Sequence, residues 1–104
     1  MSDDCVVAPA ALDDIDEIAA WMREQDPSAE ADLRFIDAAY EAFALLADQP
    51  GIGHQRQDLT SLPVLFWTVM KSFAVIYRGR APVEIVRVIR WSRDLETLLA
   101  DKDS

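Results

Sequence analysis

At Pro50-Gly51 the texture of this 104-residue chain changes, and that change constrains the fold more than any other feature in it. Upstream, apolar residues recur every three or four positions, the spacing of amphipathic helices. Downstream, β-branched and aromatic residues gather in short runs separated by turns, the pattern of strands. Helices collected in one half and strands in the other predict an α+β fold rather than an alternating βα arrangement.

The helical half begins after a short apolar segment, Val6-Val7-Ala8, that reads as an edge strand ending at Pro9. Pro9 suits the first position of a helix, where its missing N–H is no loss. Asp13, Asp14, Asp16 and Glu17 then lie where negative charge favours the helix dipole. Ala11, Ile15, Ile18, Ala19 and Met22 form one apolar stripe, and the helix should fade near Gln25. Asp26 can cap and Pro27 can open a second helix, whose stripe would be Ala29, Leu33, Ile36, Tyr40, Phe43 and Ala47, widened by Leu46. Asp32, Asp37, Glu41 and Asp48 would take its outer side. So tight a link makes the two helices an antiparallel hairpin.

After a loop over 51–58, strands are expected at 64–69, 73–78 and 83–90, joined by turns at 70–72 and 79–82. Short links make them an antiparallel meander. In the third strand, simple alternation puts Val83, Ile85 and Ile89 on one face and Val86 and Val88 on the other, so that strand should be central and covered twice. Ser92 can cap a final helix over 93–100, with Leu95, Leu98 and Leu99 apolar. The expected architecture is a helical hairpin packed on a small antiparallel sheet with a short C-terminal helix, in one domain over 1–104 without repeats or linkers.

Composition narrows the function. With 51% hydrophobic and 28% charged residues the chain is a globular protein, not a disordered one. Its longest largely apolar run, from Leu62 to Met70, falls well short of the roughly 20 residues a membrane-spanning helix needs. No signal segment opens it, so a cytoplasmic location is expected. One cysteine, Cys5, and one histidine, His54, exclude an internal disulfide and cysteine/histidine zinc sites. The net charge of −9 argues against direct nucleic-acid binding. That charge is unevenly spread. Residues 1–50 carry thirteen acids and two bases, whereas residues 51–104 carry six acids and eight bases. An acidic and a basic half can face different partners, or the acids can simply solvate the two helices.

The order of residues resembles the ParE-like toxins of bacterial toxin–antitoxin systems. Pro9-Ala10-Ala11-Leu12-Asp13-Asp14-Ile15-Asp16-Glu17-Ile18 is similar to that family's opening helix. Leu46-Ala47-Asp48-Gln49-Pro50-Gly51-Ile52-Gly53 is similar to its exit from the second helix. Val75-Ile76-Tyr77-Arg78 resembles its middle strand, and Val83-Glu84-Ile85-Val86-Arg87-Val88-Ile89 with Arg93-Asp94-Leu95 resembles its last strand and the "arg-asp-leu" beyond. These segments run through most of residues 7–99 in the family's order. The resemblance implies a strand–helix–helix–strand–strand–strand fold of the ParE/RelE superfamily, a role in plasmid stabilisation and growth inhibition, and a cognate antitoxin that joins the toxin in a hetero-oligomer. It also implies one of two activities, inhibition of DNA gyrase by binding or ribosome-dependent cleavage of mRNA.

Metal-free RNA cleavage needs a base, an acid and positive charge at the phosphate. The resemblance puts RelE-type arginine and lysine positions at Ala74 and near Leu65 and Trp67, with the C-terminal aromatic near Leu99; only Arg93 retains its expected type. Apolar side chains cannot transfer a proton, so no catalytic residue is assigned, and a binding toxin is the leading expectation. A RelE-like endonuclease using Arg93 with Arg56 or Arg78, and a decayed toxin that only binds its antitoxin, are the alternatives. No cofactor site is expected: Gly51-Ile52-Gly53 follows a helix and lacks the third glycine and the lysine of phosphate-binding loops. His54 reads as a solvated loop histidine and Cys5 as inert.

For partner binding the raw material is arginine and tryptophan, the residues most enriched at interface hot spots. Arg56, Arg78, Arg87, Arg90, Trp91 and Arg93 are the candidate contacts. The competing expectation is that Arg87 pairs with an acid of the helical hairpin. Trp21 and Trp67 should be core. Replacing Arg87 and Arg90 with glutamate should weaken partner binding and leave the fold intact. One sheet edge, not covered by Val6-Val7-Ala8, should remain open to a strand or helix from the antitoxin.

Overall fold

A computed structural model of the chain describes residues 5–80 and 82–91. The expected helix over 93–100, with Arg93 and Leu99, lies outside the described residues. Strand β1 (Cys5–Val7) leads into α1 (Pro9–Gln25) and α2 (Ala31–Asp48), followed by a single 3-10 turn (Pro50–Ile52) and strands β2 (Leu65–Val69), β3 (Phe73–Arg78) and β4 (Val83–Arg90). The sheet order is β1-β4-β3-β2. The last three strands form the expected antiparallel meander, and β1 joins β4 in parallel, with Cys5 opposite Val83 and Val7 opposite Ile85. The complete sheet is therefore mixed. The helical hairpin is the crossover that carries the chain from β1 at one edge to β2 at the other.

The hairpin lies on one face of the sheet. Ala11, Ile15, Met22, Phe35, Ala39, Phe43 and Leu46 meet Val69, Phe73, Val75, Tyr77, Val83, Ile85 and Val88 in one core. A smaller second core covers the other face, where Leu59 and Val64 of the loop pack on Phe66 and Ala74, with Ile76, Ile89 and Trp91 beside them. β4 is thus central, buried under the helices on one face and reached by the second core only at Ile89 on the other, and its faces are not those of simple alternation. A β-bulge between the Ile76 and Tyr77 partners leaves Val86 without one, because Ile76 pairs with Arg87 and Tyr77 with Ile85. The extra residue shifts the phase, so Val88, not Ile89, joins Val83 and Ile85 under the helices.

Two expectations for the helices are corrected. α2 begins at Ala31 rather than at Pro27, because Asp26 does not cap it. The Asp26 Oδ1 instead accepts bonds from the Ser28 N–H (3.2 Å) and Ser28 Oγ (2.8 Å), closing a local turn. Glu30 follows with φ 54°, in the left-handed region, and α2 starts from there. The buried stripe of α2 is Asp32, Phe35, Ala39, Ala42, Phe43 and Leu46, which leaves Leu33 and Tyr40 exposed. Asp32, expected outside, is buried and accepts from Arg23 Nη1 at 3.3 Å.

The Pro50-Gly51-Ile52-Gly53 exit has a physical reason. The fully buried Tyr77 hydroxyl donates to the Pro50 carbonyl and accepts from the Gly53 N–H, both at 2.8 Å. A Cβ on Gly53 would collide with that hydroxyl, so only glycine fits. Burial pushes the Tyr77 phenol up from its ordinary value, against the Gly53 hydrogen bond, which pulls it down. The phenol thereby fastens the end of the helical layer to the middle of the sheet.

Candidate functional site

Beyond Val7 no strand among the described residues covers the outer edge of β4, and α1 takes over. The Ala8 N–H still bonds the Ile85 carbonyl (2.9 Å), and the next outward donor, the Val88 N–H, goes to Asp14 Oδ2 (2.9 Å). Arg87 grips the same carboxylate in a fork, Nε to Oδ2 at 2.7 Å and Nη2 to Oδ1 at 2.8 Å. Asp14 is buried, so its charge is matched by the guanidinium and the peptide N–H together. The carboxylate in turn raises the Arg87 guanidinium above its ordinary range. The sequence could not select Asp14 from the four early acids of α1. Only the sheet edge distinguishes it.

Arg90 also turns towards α1, seven residues further along that helix. Its guanidinium lies 4.5 Å from the centre of the Trp21 ring. Trp21, expected in the core, is 39% exposed and forms the wall of a cleft of ≈ 390 Å³ between the C-terminal end of α1, the β2–β3 turn and the end of β4. Met22 and Phe73 are the buried residues lining it. Trp67 follows expectation and packs against the core.

Trp91 separates this cleft from a second one. Its N–H donates to the Ser72 carbonyl at 2.6 Å, and its indole meets Phe66 edge-on with ring centres 6.0 Å apart. Arg56 stacks on it, 5.0 Å from the ring centre, while donating to Asp58 Oδ1 (3.0 Å) and Oδ2 (2.8 Å). That pairing holds Asp58 below the usual carboxylate range. The second cleft, ≈ 250 Å³, is bordered by His54, Arg56 and Lys71 and lined by Phe66, Thr68 and Ala74. Lys71 reaches its place through a turn in which Met70 and Lys71 both have positive φ, 53° and 65°. Nothing in the sequence singled out Lys71 beyond its turn. His54 is exposed, as expected, while its backbone pairs with Phe66 along the outer edge of β2 by two bonds of 2.8 and 2.9 Å.

Of the remaining candidates, Arg78 lies at the opposite end of the strands, its Nε 3.5 Å from Glu84 Oε1 across the β3–β4 pair. The six expected contacts therefore do not make one patch. Arg56, Arg90 and Trp91 gather around the β2–β3 turn, Arg87 is bound to Asp14, Arg78 is remote and Arg93 lies outside the described residues. Among the positions that the RelE resemblance singled out, Ala74 faces the second cleft, whereas Leu65 and Trp67 face the helices. Beside Ala74, on the same face of the sheet, stand Phe66 and Thr68 of β2. Among the described residues no group of three or more histidines, cysteines or acids is placed to hold a metal.

The family model of the ParE toxin of type II toxin–antitoxin systems, parDE, matches residues 6–95. The chain belongs to that family. No curated protein matches it. As a ParE-family toxin it is a component of a type II toxin–antitoxin system, and such a system implies an antitoxin partner. No helix among the described residues of the toxin is long and apolar enough to cross a membrane. Both Arg–Trp stacks of this ParE-family chain lie at one end of the sheet, on either side of one hairpin turn.

Proposed function

We propose that this ParE-family toxin acts in the cytoplasm by gripping a protein target, DNA gyrase, and that the antitoxin encoded beside it neutralises it by covering the gripping surface. One observation carries the reading: Arg56 on Trp91 and Arg90 on Trp21 set two preorganised cation–aromatic pairs around an exposed turn. Large aromatics with stacked guanidinium groups are the commonest anchors of protein interfaces. Inhibition of gyrase supercoiling by the purified chain, relieved by stoichiometric antitoxin, is the expected result. Full supercoiling at saturating toxin overturns it.

A second reading, ribosome-dependent RNA cleavage, has its own observation in the cleft where His54, Arg56 and Lys71 converge. It supplies cations and an imidazole that the family positions at Ala74, Leu65 and Trp67 do not. Cleavage of a defined message in a purified translation system, lost in Lys71→Ala and His54→Ala, selects this reading over the first. Growth arrest absent from cells expressing the chain alone selects a decayed toxin.

A further inference from the structure

The cleft between α1 and the β2–β3 turn carries a more specific inference, which rests on the toxin–antitoxin reading above. Its volume, ≈ 390 Å³, sits at the small end of the range of about 300–1,000 Å³ that binding pockets occupy. The buried Met22 and Phe73 give it an apolar floor, and the half-exposed Trp21 one wall. Over that wall stands Arg90. A guanidinium stacked on an indole spends its face on the ring and keeps its in-plane N–H edge for a partner. Among the described residues Arg90 forms no ion pair, unlike Arg23, Arg56, Arg78 and Arg87. Asp26 also lines the cleft, and its Oδ1 is engaged by Ser28. An incoming carboxylate is thus received at Arg90 and kept away from Asp26.

We propose that this cleft receives a segment of the antitoxin in which a bulky apolar side chain fills the floor and an adjacent carboxylate meets Arg90. Charge complementarity picks the occupant. In a chain of net charge −9, Arg90 is a cation that none of the described carboxylates pairs with, the complement an acidic segment needs.

The test uses the toxin and the antitoxin encoded beside it, with affinity measured by titration for wild type, Trp21→Ala, Arg90→Glu and a control, Arg80→Glu, in the β3–β4 turn. Trp21→Ala and Arg90→Glu should each weaken binding about tenfold or more, the loss expected of anchor residues. Arg80→Glu should stay within about twofold of wild type, as surface substitutions away from an interface do. Replacing one antitoxin acid by arginine should restore binding to Arg90→Glu alone. Urea midpoints separate misfolding from lost contact, and Arg90→Glu, altering an exposed side chain, keeps the test alive where Trp21→Ala does not fold. Wild-type affinity in both cleft variants overturns the proposal while leaving the toxin–antitoxin reading in place. So does a Trp21→Ala chain that loses only self-association, which would make the cleft a seat for a second copy. A wild-type chain that binds no antitoxin sinks the underlying reading and this one with it.

Discussion

Tyr77, Gly53 and Asp14 show how much a single atom can decide here. Tyr77→Phe removes both bonds of the phenol and leaves the Pro50 carbonyl and the Gly53 N–H to find other partners. A loss of about 1–3 kcal/mol in urea denaturation is expected. Gly53→Ala should cost more, since the added methyl must displace the ring. Because burial raises the folded Tyr77 phenol, the unfolded chain loses its proton first as pH climbs past about 10. The contribution of Tyr77 is therefore fully present below that pH and falls away above it. In denaturation measured between pH 8 and 11, Tyr77→Phe should show a shallower alkaline decline than wild type. Asp14→Ala strips both the Arg87 fork and the Val88 N–H of their acceptor, and about 2–3 kcal/mol should be lost. This pair also revises the double glutamate substitution considered from the sequence. Arg87→Glu would set a second carboxylate against buried Asp14, so an Arg87/Arg90 double variant confounds binding with stability. Arg90→Glu alone should melt near wild type.

At the scale of elements, the periodicities of α1, β3 and β4 were enough to place both ends of each, because their apolar stripes stop at a proline, a turn or a charged residue. What periodicity cannot register is an inserted residue. The bulge at Val86 obeys the composition of a strand while breaking its alternation, so the faces of β4 were misread. The start of α2 was misread for another reason. Asp26-Pro27 is a good helix opening in isolation, but the Asp26 carboxylate closes on Ser28 before the helix can use it. Glu30 then takes a left-handed conformation that costs a non-glycine residue about 1–2 kcal/mol. Glu30→Gly should accordingly raise the unfolding free energy measured in urea by about 0.5–1 kcal/mol once the greater freedom of unfolded glycine is counted. Within the site, arginine and tryptophan were legible as interface chemistry. That Arg87 is spent inside the molecule depends on a contact 73 positions away, with Asp14, and no local pattern encodes that.

Seen whole, the molecule separates charge between its two layers. Among the described residues the helices carry nine of the thirteen acids, and the sheet with its loops and turns six of the eight bases. Self-repulsion within the acidic layer opposes compaction and is screened by salt. Raising sodium chloride from about 0.02 to 0.3 M, across which the screening length shrinks several-fold, should raise the melting temperature of the free chain, while weakening any acidic partner held at Arg90. Calorimetry and titration in the same buffers would show the two trends running in opposite directions. The sheet order has a consequence in time as well. β1 is made first and β4 last of the described strands, yet they are neighbours. On the ribosome, β1 and the whole helical hairpin must wait, unsupported at that edge, until β4 has emerged to receive them. Translation of the closing strand thus sets the earliest moment at which the protein can reach its finished shape, and with it the window in which a partner can intercept it unfinished.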